Sequence, residues 1–141
     1  MRKLILAWLL AAASVGGCVT YYNRTTPDHP VPLTPFEEVC ALVEEEYETT
    51  CEGVLEPILV VTELVDEFGA QGVYVHGESY IFVSPTGDHM EDTIVHETVH
   101  YVLWELGLAR ERCESEDLAR EWTAIILGNE VDPTWRLRYG C

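Results

Sequence analysis

The chain has 141 residues, 25 of them acidic against eight lysines and arginines, for a formal charge of −17. That length allows one domain around one core, and that charge repels phosphate backbones, so nucleic acid is not expected as a partner. A solvated acidic surface suited to a salty exterior explains the balance more simply than an acidic recognition patch.

The first segment, "MRKLILAWLLAAASVGGC", opens with Arg2 and Lys3, runs apolar from Leu4 to Ala13 and reaches Val15, Gly16 and Gly17 before Cys18. It reads as a secretory signal over residues 1–17, too short and wrongly flanked for a permanent membrane span. "VGGC" resembles the lipobox of bacterial lipoproteins. The resemblance implies that Cys18 is lipidated, becomes the new N-terminus and tethers the protein to a membrane. Val19 in the next position implies, by the same resemblance, the outer membrane, facing the periplasm. The expected mature chain has 124 residues, with six arginines against 25 acidic side chains and a formal charge of −19. Residues 18–34 form a lipid-anchored, proline-rich spacer, with prolines at 27, 30 and 32 and a further one at 35 that keep it extended and stiff.

The folded domain is expected over 35–141. Thr34, Pro35 and Glu37 supply an N-cap, a proline at the first helical position and a capping-box glutamate. Phe36, Val39, Cys40, Val43 and Tyr47 then recur at helical spacing, predicting a helix to about Glu48 with Glu44, Glu45 and Glu46 on its solvated face. "PILVVTEL" (57–64), "GVYVH" (72–76) and "YIFVS" (80–84) are β-branched and aromatic runs between turn-forming residues, and the last two pair across "GES". The run 58–61 also fits the start of a buried helix reaching Phe68. A second helix over 89–106 is capped by Asp88 and stopped by Gly107. A third runs from about Glu114 to Leu127, with Leu118, Trp122, Ile125 and Ile126 toward the core, and ends at Gly128 and Asn129.

Cys40, Cys51, Cys113 and Cys141 remain after Cys18, an even number that reads as two disulfides in an oxidising compartment. Proximity favours Cys40 with Cys51, leaving Cys113 with Cys141 to tie down the C-terminus.

The second helix contains "TIVHETVHYV". His96 and His100 lie one turn apart on one face and can direct ring nitrogens to one metal ion. Glu97 is rotated about 100° from His96, outside the coordination shell but within reach of a water bound there. Composition alone produces H-E-x-x-H about two times in a hundred in such a chain. The neighbouring positions 93–95, 98, 99, 101 and 102 are all uncharged.

This segment is similar to the longer signature of zincin metallopeptidases. The resemblance implies an α+β, minimal zincin-like domain, with a small sheet packed on the HExxH helix and a following ligand helix. It implies Zn²⁺ as cofactor, a peptide or protein substrate, Glu97 as general base, and an edge strand that aligns substrate by β-addition, for which "YIFVS" is the candidate. Positions 103 and 106 are leucines, so the three-histidine metzincin form is absent. In the gluzincin class, which the chain resembles more, the third ligand is a glutamate on a following helix. Glu121, 21 residues past His100, is favoured, with small Ala124 three residues on. Glu116, with Ala119 three residues on, competes, and Glu114 is a further option.

His76 and His89 are candidates for polarising a substrate carbonyl, and Tyr80, Tyr101 and Tyr139 for stabilising an oxyanion. Arg136 and Arg138 are read as salt-bridge partners for the acidic surface, or as receptors for a substrate carboxylate. The leading expectation is a membrane-anchored zinc metallopeptidase using His96, His100, Glu121 and Glu97. The alternative is a non-catalytic zinc-containing binding or assembly lipoprotein, favoured by the little room so short a chain leaves for a substrate cleft.

Overall fold

A computed structural model describes residues 20–22, 35–86 and 89–141. The expected signal, the lipid-bearing Cys18, most of the spacer and the caps at Thr34 and Asp88 lie outside the described residues. The domain is α+β. In chain order it comprises β1 (Thr20–Tyr22), α1 (Phe36–Tyr47), β2 (Ile58–Val61), a 3₁₀ helix (Glu63–Phe68), β3 (Gly72–Tyr74), β4 (Tyr80–Val83), α2 (Met90–Glu105), α3 (Arg112–Leu127) and α4 (Trp135–Tyr139).

The four strands lie in the order β1-β2-β4-β3. β3 and β4 form the expected antiparallel hairpin, with Val73 opposite Phe82. β4 runs parallel to β2, Leu59 facing Ile81. This order corrects two expectations. "YIFVS" is an interior strand rather than the edge, because its second side is taken by β2; the edge is β3. Part of the spacer also belongs to the sheet, since Thr20–Tyr22 pairs antiparallel with β2. "TYY" is β-branched and aromatic, a composition that suits a pleated surface, whereas the prolines that enforce the spacer begin only at Pro27.

Alternation along the strands gives the sheet two apolar faces. Leu59, Tyr74, Ile81 and Val83 join the main core with Val39, Cys40 and Val43 of α1, Ile94, Val99 and Val102 of α2, and Ala119 and Trp122 of α3. Val60 and Phe82 turn the other way and are covered by Val65 of the 3₁₀ helix. The apolar run at 58–61 is therefore a strand that gives way to a short helix, capped where the Leu64 amide donates to Thr62 Oγ1.

α2 is the hub, packing against α1, α3, β3 and β4. A helix enclosed on so many sides must be apolar nearly all round, and Ile94, Val95, Val99, Tyr101, Val102 and Leu103 are all buried. Its polar groups are satisfied internally: Thr98 Oγ1 donates to Ile94 O at 2.6 Å, and the Tyr101 hydroxyl donates to Leu55 O at 2.7 Å. α2 ends in a Schellman turn. Leu108 N–H donates to Leu103 O, Gly107 N–H to Trp104 O, and Gly107 takes φ +68°. On α3, Trp122 is buried, while Ile125 is 56% exposed rather than in the core; Ala119 and Thr123 take the inward positions instead.

Both expected disulfides are present. Cys40 and Cys51 have Cα atoms 5.9 Å apart, and Cys113 and Cys141 5.6 Å. The second bridge ties the last residue to the first turn of α3 and so holds α4 against it. Replacing Cys113 and Cys141 by serine opens a loop with a sequence separation of 28. We expect a loss of about 3 kcal/mol, measured as a lower denaturant midpoint than that of the oxidised wild type.

Candidate metal centre

Three side chains from two helices converge beside the open edge of the sheet. His100 Nε2 lies 3.1 Å from His96 Nε2 and 3.1 Å from Glu116 Oε1. His96 Nε2 lies 3.3 Å from Glu116 Oε2. These separations match the edge of a tetrahedron whose bonds are about 2 Å long, roughly 3.3 Å, so the group His96, His100 and Glu116 can hold a metal ion. The Glu116 carboxyl feels burial, which opposes ionisation, but contacts to His100 and His96 outweigh it and hold the group far below the usual carboxylate range. A carboxylate that stays ionised is what a cation requires.

Glu121, the expected third ligand, is exposed on α3 and lies apart from this group. Two facts select Glu116. His100 stands five residues before the end of α2, and Glu116 four residues after the start of α3, so antiparallel helices joined by a tight turn bring them to one depth. Because α3 begins at Arg112 rather than Glu114, that depth is regained earlier than expected. Five residues further on, the helix has also turned about 140° away from that direction, which puts Glu121 in solvent. The legible signal was Ala119: it is fully buried, and a methyl side chain three residues past the ligand lets the helices approach.

Glu97 stands outside the triad and reaches toward the sheet edge. The backbone N–H of Tyr74 donates to Glu97 Oε2 at 3.1 Å. Burial pushes its carboxyl up, the neighbouring His96 and His100 pull it back, and Glu116 raises it again; the net shift is upward. A carboxyl shifted toward holding its proton, set beside two imidazoles, is of the kind used in acid–base work. The contact with β3 is close enough to dictate a residue: a Cβ at Gly72 would lie 2.4 Å from Thr93 Cγ2 and 2.9 Å from Glu97 Cγ.

The group opens into a cleft of about 740 Å³, whose walls include Gly72, Thr93, Glu97, Glu116, Arg120 and Tyr139. Even so short a chain therefore has room for a substrate segment. Of the other candidates, Tyr139 lines this cleft, whereas Tyr101 is fully buried and Tyr80 packs beside Phe82 on the far face. His89 lines the cleft, 3.7 Å from Asp92, and His76 packs against Trp104 at a tilt, 3.9 Å between centroids. Arg136 pairs with Asp117 and Arg138 with Asp132, as expected for an acidic surface. Arg120 was not anticipated. It lies one turn past Glu116, its Nη2 3.6 Å from Glu116 Oε2, with its guanidinium carbon over the rings of Trp135 and Tyr139.

Compared with protein-family models, curated proteins and solved structures, the chain matches none of them.

Two measurements check this geometry. With a divalent metal ion such as zinc supplied, Glu116→Ala should lose any stoichiometric binding that the wild type shows, while Glu121→Ala retains it, as read by elemental analysis after dialysis. Gly72→Ala must push β3 from α2 and should destabilise the protein by about 1–3 kcal/mol, read from thermal or denaturant unfolding.

Proposed function

We propose that the protein is a zinc-dependent hydrolase, a metallopeptidase of minimal zincin-like architecture, with His96, His100 and Glu116 as metal ligands. The observation that carries this reading is the spacing of the three donor atoms, with the carboxyl of Glu97 beside them but outside the triad. Two imidazoles and one carboxylate are a donor set suited to zinc. Structural zinc sites are closed by four protein ligands, whereas catalytic ones keep a position open; the group here has three members among the described residues. That count favours catalysis over a structural zinc in a binding lipoprotein.

Bound zinc would supply Lewis acidity, polarising the scissile carbonyl and lowering the pKa of an attacking water. The protein's own groups handle the proton. Glu97, fixed through one oxygen by the Tyr74 amide, takes it from the water as the oxygen adds to the carbonyl carbon. It then delivers the proton to the departing nitrogen, which leaves with the electron pair of the broken C–N bond. In this reading the chain works at the cell envelope, anchored through Cys18, with peptides or proteins as substrates.

The test uses the full-length, zinc-loaded protein and its Glu97→Gln variant. Both should bind one zinc, and the variant should cleave peptides about 10²–10⁴-fold more slowly. Equal turnover by the two, or no cleavage of any peptide by the zinc-loaded wild type, would overturn the proposal.

A further inference from the structure

The least explained group in the cleft is Arg120. Its guanidinium carbon lies over two aromatic rings, 4.8 Å from the Trp135 centroid and 4.9 Å from that of Tyr139. Both rings come from α4, pinned by the Cys113–Cys141 bridge. Its one carboxylate neighbour among the described residues is Glu116, and 3.6 Å is too far for a hydrogen bond. Its buried Nε has no hydrogen-bond partner there. Arg138, the other cation lining the cleft, is spent on Asp132. An arginine carries five donors in a planar fork that fits a carboxylate with two parallel bonds. Here two rings flank the guanidinium, and no carboxylate among the described residues meets it with such a pair of bonds.

The surroundings narrow what the partner is. In so acidic a protein an anionic chain end is repelled from most of the surface, and Arg120 provides a cation on the metal-side wall of the cleft. Only a nitrogen and one Cα separate the last scissile carbonyl carbon of a peptide from its terminal carboxylate carbon, a span of roughly 3–4 Å. A terminal carboxylate received at Arg120, one helical turn from Glu116, therefore brings the last peptide bond to the triad and Glu97.

Resting on the hydrolase reading above, we propose that Arg120 receives the free carboxylate at the substrate's C-terminus and that the protein is a carboxypeptidase. Water oxygen bonds to the last carbonyl carbon and the C–N bond breaks toward nitrogen. Glu97 carries the proton across, and the products are a shortened peptide and one free amino acid.

The experiment uses the full-length, zinc-loaded protein and peptides of one sequence made as free acid and as C-terminal amide. Products are followed by mass spectrometry, and binding of both peptides to zinc-loaded Glu97→Gln is measured by calorimetry. The free acid should lose single residues from its end, with kcat/KM about 100-fold above that of the amide, and should bind at least about 10-fold more tightly. Arg120→Gln should erase both preferences, mainly through KM, with zinc content unchanged. Arg120→Lys, which keeps charge and folding but not the fork, should weaken binding of the acid about 10-fold. Glu97-dependent cleavage of internal bonds, or of acid and amide alike, would overturn the carboxypeptidase inference and leave the hydrolase standing. Acid-selective binding that depends on Arg120, in a protein that cleaves nothing, would keep the carboxylate receptor and remove the hydrolase. Neither cleavage nor selective binding would end both.

Discussion

Everything in this domain depends on the contact of α2 with α3 near the turn that joins them, because there one carboxylate is pressed between two imidazoles. Bringing Glu116 against His96 and His100 costs desolvation, which opposes its charge, and the contacts to the rings more than offset that cost. Such a cluster is tolerable only if the helices beneath it cannot slide. The apolar contacts of Val99, Val102, Ala119 and Trp122 supply that rigidity, and the Gly107 turn sets how far along α3 the returning chain meets α2.

The sheet has a second task besides covering α2. Its edge strand β3 holds Glu97 through a backbone amide and crosses so close that only glycine fits at position 72. The Glu97 carboxyl is thus positioned by main chain and packing. The three donors of the candidate metal group come from two helices, Glu97 from the first of them, and its orientation from the sheet, so the site samples every layer of the fold.

Local physics was legible in the sequence and long-range placement was not. The stripe Val39, Cys40 and Val43, the stops at Gly107 and Gly128, the hairpin of β3 and β4 and the pairing of all four domain cysteines follow from periodicity, turn chemistry and proximity. His96, Glu97 and His100 were visible because two imidazoles one turn apart need only one helix. Glu116 against Glu121 was a different question, since it turns on where α3 begins and on which of its faces meets α2, and no local pattern sets either. The edge strand was misplaced for a related reason: β4 pairs in parallel with β2 across an intervening helix and strand, a contact no local pattern encodes. Arg120 escaped notice because its neighbours on α4 meet it only after the chain has turned back.

The bond between Cys113 and Cys141 has a consequence for the cleft. Arg120's two aromatic neighbours belong to the last seven residues of the chain, and without the bond that tail is held by the buried Trp135, cation–π contacts and exposed ion pairs. A copy with both thiols reduced therefore carries a looser wall than the oxidised one, and the redox state of its surroundings sets how firmly that side of the cleft stands.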